Sequence, residues 1–148
     1  MKISRIAAGA IAALVTFAAT GAETAEPDTR SPLDRYQGDS QFSMLMCSMT
    51  VKMAATTGSG PSTGDEKTDY VACVSKGKAT AKANFESALK TLKKPKAREA
   101  LKSYHVALVA ALEGIKPGTD ERKISYEQRQ QALEQKMTEA WARFEIEK

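Results

Sequence analysis

The chain has 148 residues, 22 basic and 18 acidic side chains, and a net charge of +4. This length is enough for one domain with a real core but not for two. The sequence contains one histidine and lacks nucleophile-elbow, zincin, phosphate-loop and dinucleotide motifs. We therefore expect a protein that is not an enzyme, with no catalytic residue and no cofactor.

Residues 1–22 match the three parts of a secretory signal peptide. Lys2 and Arg5 form a short positive region, an uncharged apolar run covers residues 6–19, and small residues follow up to Ala22. The run is too short and too rich in alanine to span a bilayer, which takes about 20 strongly apolar residues. We expect cleavage near Ala22, a periplasmic or secreted location, and no transmembrane segment in the mature chain. Cleavage leaves 20 basic and 18 acidic residues.

The segment 23–39 carries two prolines, five acids and little apolar periodicity, which predicts a flexible leader. Only Leu33 and Tyr36 are expected to touch the body. Asp39 or Ser40 is predicted to cap the first helix, so a single helical-bundle domain is expected over residues 40–148. The first helix has two apolar stripes and is therefore expected to lie inside, with neighbours on more than one side. The stripes are Phe42, Met46, Met49 and Met53, and Met44, Cys47 and Val51.

Three further helices follow from apolar residues that recur every three and four positions. A loop rich in glycine, proline and serine over residues 57–64 separates the first two helices. Pro95 suits the first turn of a third helix, and the alternative is one long helix kinked at Pro95. The predicted helices cover about 40–56, 65–94, 95–115 and 120–148. Short loops favour an all-α, antiparallel bundle with up-down-up-down topology and one disulfide.

The only two cysteines, Cys47 and Cys73, are predicted to form that disulfide. An exported chain meets an oxidising compartment. With the predicted helix ends, the two residues also lie at similar distances from the loop, opposite each other in a helical hairpin. The cross-link is expected to stabilise the fold by about 3 kcal/mol. The alternative is a redox-active pair, which favours the closely spaced C-x-x-C pattern that is missing here.

Basic residues cluster around the turn between the second and third helices. This cluster could dock an anionic surface or a protein partner; the alternative is a solvated face that also complements the negative end of the second helix. No aromatic residue interleaves with the lysines, which disfavours nucleic acid. We name this cluster the basic turn, and it comprises Lys90, Lys93, Lys94, Lys96, Arg98 and Lys102. A binding module that uses the basic turn is the leading functional hypothesis.

Methionines on the first helix provide a second functional hypothesis. Met46, Met49 and Met53 share one helix face, and their thioethers are soft donors suited to Cu(I). The more ordinary interpretation is that flexible methionines fill an irregular core beside the disulfide. His105, near the apolar stripe of the third helix, is likewise expected to be a core or boundary residue rather than a general base.

A third hypothesis comes from the C-terminal segment. Gln135 and the run Trp141-Ala-Arg143-Phe144, together with an early cysteine pair, partly resemble small exported lysozyme-inhibitor domains of the LprI type. The resemblance implies an inhibitor of a cell-wall enzyme. Those domains carry a cysteine after the final arginine, whereas residues 145–148 contain none. No residue role is therefore carried over from them.

Overall fold

The computed structural model describes residues 28–58, 60, 64–65 and 67–148, and over these residues it contains four helices and no strand. The predicted signal peptide and the first part of the predicted leader lie outside the described residues. The all-α prediction is confirmed. The helices are α1 (Pro32–Thr57), α2 (Tyr70–Thr91), α3 (Pro95–Gly114) and α4 (Lys123–Glu147).

The start of α1 corrects the predicted leader. Ser31 caps the helix by accepting a hydrogen bond from the backbone N–H of Asp34 at 3.1 Å, and Pro32 occupies the first turn. The expectation that the helix starts at Asp39 or Ser40 is wrong, because residues 32–39 are already helical. Within this segment the side chain of Tyr36 is fully buried, so the segment forms part of the core.

Helices α1 and α2 form an antiparallel hairpin. Asn84 donates a hydrogen bond to Asp39 at 2.8 Å, and further along the pair Gly77 lies against Ser43. A Cβ atom added at Gly77 would stand 3.3 Å from the Cβ of Ser43, which is tighter than an ordinary contact. The missing side chain therefore lets the two helices approach closely.

Helix α3 occupies the centre of the molecule, and α1, α2 and α4 all pack against it. Trp141 of α4 meets Tyr104 of α3 edge-on, with 4.8 Å between ring centroids. Among the described helices, α4 brings its Cα atoms within 8 Å of α3 alone. The predicted apolar stripe of α3 is wholly buried, and its members are Ala97, Leu101, Tyr104, Leu108, Leu112 and Ile115.

A turn separates α2 from α3, so the alternative of one long helix kinked at Pro95 is wrong. Residues 92–94 leave the helical conformation, and Pro95 starts α3. Arg98 donates hydrogen bonds to the carbonyl oxygens of Leu89 at 3.0 Å and Leu92 at 3.3 Å. These bonds satisfy carbonyl groups that the end of a helix leaves without a partner.

Two predicted helix starts are wrong. Helix α2 begins at Tyr70 rather than near residue 65, because Asp69 caps it by accepting from the N–H of Ala72 at 2.8 Å. Helix α4 begins at Lys123, after a turn in which Glu121 accepts from the N–H of Gly118 at 2.8 Å. In each case a carboxylate accepts a hydrogen bond from a backbone N–H just before the helix, and the helix starts later in the chain than predicted.

Arg129 joins the turn before α4 to the end of α3. It donates to the carbonyl oxygen of Gly114 at 2.6 Å and pairs with Glu121 at 2.6 Å. The hydrogen bond from Arg129, followed by the one from the N–H of Gly118, lowers the pKa of Glu121 to about 2. Through these contacts Arg129 ties the start of α4 to the end of α3.

Candidate functional site

The disulfide predicted between Cys47 and Cys73 is present, with 5.5 Å between the two Cα atoms. Cys47 lies ten residues before the end of α1, whereas Cys73 lies only three residues after the start of α2. The pairing is therefore correct, although the two distances from the loop that helped to predict it are not equal. The bond leaves no free cysteine, so neither sulfur is available as a thiolate.

No helix in the described part of the chain combines the length and the hydrophobicity that crossing a membrane requires. Over the same residues, no group of three or more histidine, cysteine, aspartate or glutamate side chains converges to hold a metal ion.

His105 lies where the sequence places it, at the boundary of the core. Its ring stacks on Phe85 with 4.2 Å between centroids and an interplanar angle of 11°. The Tyr36 hydroxyl lies 2.9 Å from Nδ1 of His105. Burial lowers the pKa of His105 below its ordinary value of 6.5. These contacts assign His105 to packing, and they make it a source of pH-dependent stability.

Replacing His105 with glutamine is expected to flatten the pH dependence of stability on the acidic side of neutrality. Because the folded state lowers the pKa of His105, this residue contributes fully above the unfolded pKa of about 6.5. As the pH falls below that value, the unfolded chain binds a proton that the folded chain does not bind, and stability is lost. Urea unfolding of both proteins at neutral and mildly acidic pH measures the difference. Parallel curves would contradict the assignment.

The basic turn is only partly available for binding. Arg98 is used to cap α2, Lys94 donates to the backbone carbonyl of Lys148 at 2.8 Å, and Lys102 pairs with Glu99 at 2.7 Å. Lys90, Lys93 and Lys96 are exposed and have neither an ion pair nor a side-chain hydrogen bond among the described residues. Lys94 is exposed and also has no ion pair there, but its ammonium group is hydrogen-bonded. Within the described residues the basic turn thus offers three side chains without a bond instead of six, spread over the end of α2 and the start of α3.

The predicted core position of the methionine stripe is wrong. Phe42 is 62% exposed and Met49 is 47% exposed, because the contacts of α1 with α2 and α3 use its opposite side. That buried side includes Met44 and Cys47. We call the exposed side the α1 apolar face, and it consists of Phe42, Leu45, Met46, Met49 and Met53. A surface with five large apolar side chains in one line along a helix calls for a functional explanation.

A groove of about 370 Å³ runs along the edge of the α1 apolar face, between α1 and α2. Phe42 and Met46 form its α1 wall, and Ala72, Lys76 and Gly77 lie on its α2 side. Ala72 and Gly77 have small side chains, so α2 leaves open space beside the α1 wall. We call this feature the α1–α2 groove.

The charged side chains near the groove differ in whether they already have a bonding partner. Asp39 accepts hydrogen bonds from Arg30 at 3.0 Å and Asn84 at 2.8 Å, and Asp69 caps α2. Lys76 lines the groove, whereas Lys52, three residues after Met49, lies outside it. Both lysines are exposed and have no ion pair within the described residues. Of the charged side chains that line the groove, Lys76 therefore has no ion pair, whereas the two carboxylates already accept hydrogen bonds.

Leu45 belongs to this face but was missed in the sequence. It lies three residues after Phe42 and four before Met49, so helical spacing could have included it. The periodicity does not say which stripe of α1 faces the core, because both stripes are apolar. Only the packing of α2 and α3 on the other side makes that choice.

The C-terminal residues behind the lysozyme-inhibitor hypothesis have packing roles. Trp141 lies between Tyr104 and Phe144, with centroid distances of 4.8 and 5.1 Å. Gln135 donates a hydrogen bond to Glu139 at 2.8 Å on the surface of α4. These contacts add nothing specific to the inhibitor hypothesis, which stays a prediction.

No family model matches the chain, and no significant match occurs among curated proteins or solved structures. Function is therefore argued from the groove, the α1 apolar face and the charges beside them.

Proposed function

We propose that this chain is an exported, non-catalytic binding module that docks an amphipathic helix of a protein partner in the α1–α2 groove. The α1 apolar face carries the proposal, because its five large side chains are 41–62% exposed. Burying such a surface is favourable by about 25 cal/mol per Å² of apolar area. The partner is expected to present an apolar stripe flanked by acidic residues.

The shape of the site favours a helix as the occupant. The α1 apolar face extends over eleven residue steps from Phe42 to Met53, which is about 16 Å along the helix axis. The groove beside this face lies between two antiparallel helices and includes Phe42 and Met46 of the face. Such a groove accepts the apolar stripe of a third helix, as in other helix-in-groove complexes. Methionines suit such a surface because their unbranched side chains repack around different partners.

Charge favours acidic flanks on that helix. Lys52 and Lys76 provide open positive charge beside the apolar surface, whereas Asp39 and Asp69 already have partners. A complementary charge pattern steers association and fixes the register of the bound helix.

The disulfide supports the proposed export to the periplasm or the medium. Such a bond persists in oxidising compartments and is rare in reducing ones. The apolar run in residues 6–19 would form the hydrophobic part of the signal peptide that directs export.

A pair of synthetic helical peptides tests this function. Both carry leucine at helical spacing, and they differ only in having glutamate or lysine beside the leucines. In fluorescence anisotropy, the mature protein is expected to bind the glutamate peptide and to show no binding to the lysine peptide. Binding of the glutamate peptide should weaken at high salt. Replacing Phe42 and Met49 together with glutamine should weaken binding at least tenfold, because both side chains lose their apolar contact.

Charge-reversal variants provide the matched control. Lys52→Glu with Lys76→Glu should transfer the preference to the lysine peptide, whereas Lys93→Glu with Lys96→Glu should leave binding unchanged. A loss of binding in the second pair alone would show that the basic turn is the docking surface. Binding to anionic vesicles without peptide binding, or self-association that the Phe42 and Met49 changes abolish, would also overturn the proposal.

A further inference from the structure

Three of the five side chains in the α1 apolar face carry a thioether. Met46, Met49 and Met53 are 41%, 47% and 42% exposed, so filling the core does not account for them. The one methionine of α1 that does fill the core is Met44, which is 8% exposed. The sulfur atoms are thus concentrated on the accessible side of the helix.

The spacing of these residues brings neighbouring thioethers within reach of one ion. Met46 and Met53 stand three residues before and four residues after Met49, and residues so spaced have Cβ atoms about 5–6 Å apart. Each methionine has three rotatable bonds beyond Cα. The outer two can therefore lean toward Met49 without any movement of the backbone.

The donor set is selective. Thioethers are soft, neutral ligands that prefer Cu(I) to hard divalent cations. The nearest sulfur of another kind, in Cys47, is held in the disulfide. Phe42 and Leu45 flank the methionines and are 62% and 58% exposed. The nearest charges named above are the positive charges of Lys52 and Lys76, which repel a doubly charged ion more than a singly charged one.

We propose that Met46, Met49 and Met53 form a binding site for one Cu(I) ion on the exposed face of α1. The site uses three uncharged sulfur donors and releases no proton when the ion binds. The Cu(I) proposal does not depend on the proposed helix docking, although both use the α1 apolar face.

Titration of the mature, disulfide-bonded protein with Cu(I), in competition with a chromogenic Cu(I) chelator, tests the site. We expect one ion per chain and an affinity that is the same at neutral and mildly acidic pH. Replacing the three methionines with leucine should lower the affinity at least tenfold, because leucine conserves volume and removes the sulfur. Met44→Leu is the matched control and should bind the ion like the original chain.

Unchanged affinity in the triple leucine variant would overturn the site. So would an affinity that falls as histidine protonates, or binding that appears only after the disulfide is reduced. Because the leucine variant keeps the apolar face, it should still bind the glutamate peptide, so failure of the metal site and failure of helix docking are distinguishable. Circular dichroism and a thiol assay establish that the variant is folded and disulfide-bonded.

Discussion

Replacing Tyr36 with alanine is expected to destabilise the folded chain by about 3–5 kcal/mol, the range for truncating a buried aromatic side chain. Tyr36 is fully buried, and its ring contacts Phe85 at 5.9 Å, Tyr104 at 5.8 Å and His105 at 6.0 Å between centroids. The side chain therefore joins α1, α2 and α3 at one end of the bundle. Truncation would leave a cavity that three helices line.

Urea or guanidinium unfolding followed by circular dichroism measures this effect. Tyr36→Phe is the matched control, because it keeps the ring and removes only the hydroxyl that lies 2.9 Å from His105. It should cost about 1 kcal/mol, the net value of one hydrogen bond. If residues 32–39 were a flexible leader instead, the alanine variant would stay within about 0.5 kcal/mol of the original chain.

Removing the disulfide is expected to cost about 3 kcal/mol. The bond joins α1 and α2 across a sequence separation of 26, and the chain-entropy model assigns that stabilisation to the restriction of the unfolded chain. The double variant Cys47→Ala with Cys73→Ala is suitable because Cys47 is buried and alanine introduces no polar group there. Its unfolding free energy, compared with that of the oxidised chain, provides the measurement.

Chemical reduction of the original chain is the independent control. The reduced protein should unfold at nearly the same denaturant concentration as the double variant, since both lack the cross-link. Equal stability of the oxidised chain and the double variant would contradict this account of the disulfide. A loss in the double variant without a loss on reduction would show that the substitutions disturb packing instead.

Helix count, order and much of the core are predictable from the sequence, whereas helix starts are not. The apolar stripe of α3 from Ala97 to Ile115 is buried as predicted, because its spacing leaves one apolar side to face the centre. The starts of α1, α2 and α4 depend on single capping or turn contacts. Ser31, Asp69 and Glu121 make those contacts, and several nearby polar residues offer the same chemistry.

Most of the α1 residues of the candidate site were predictable from the sequence, but their exposure was not. The sequence identifies Met46, Met49 and Met53 as one stripe and the basic turn as a cluster. Arg98, Lys94 and Lys102 then form internal bonds, and the methionines stay outside. Long, flexible side chains such as lysine, arginine and methionine reach several alternative partners, so their local pattern does not decide which partner they meet.

The sequence by itself determines the four helices and the pairing of Cys47 with Cys73, because these depend on periodicity and on a single possible partner. The export signal, which depends on local composition, stays a prediction. Tertiary structure alone decides which stripe of α1 is buried. Both stripes are apolar, and the choice follows from where Gly77 lets α2 approach and where Tyr36 meets α3. Those long-range contacts leave the methionine face open, and both functional proposals begin from that exposure.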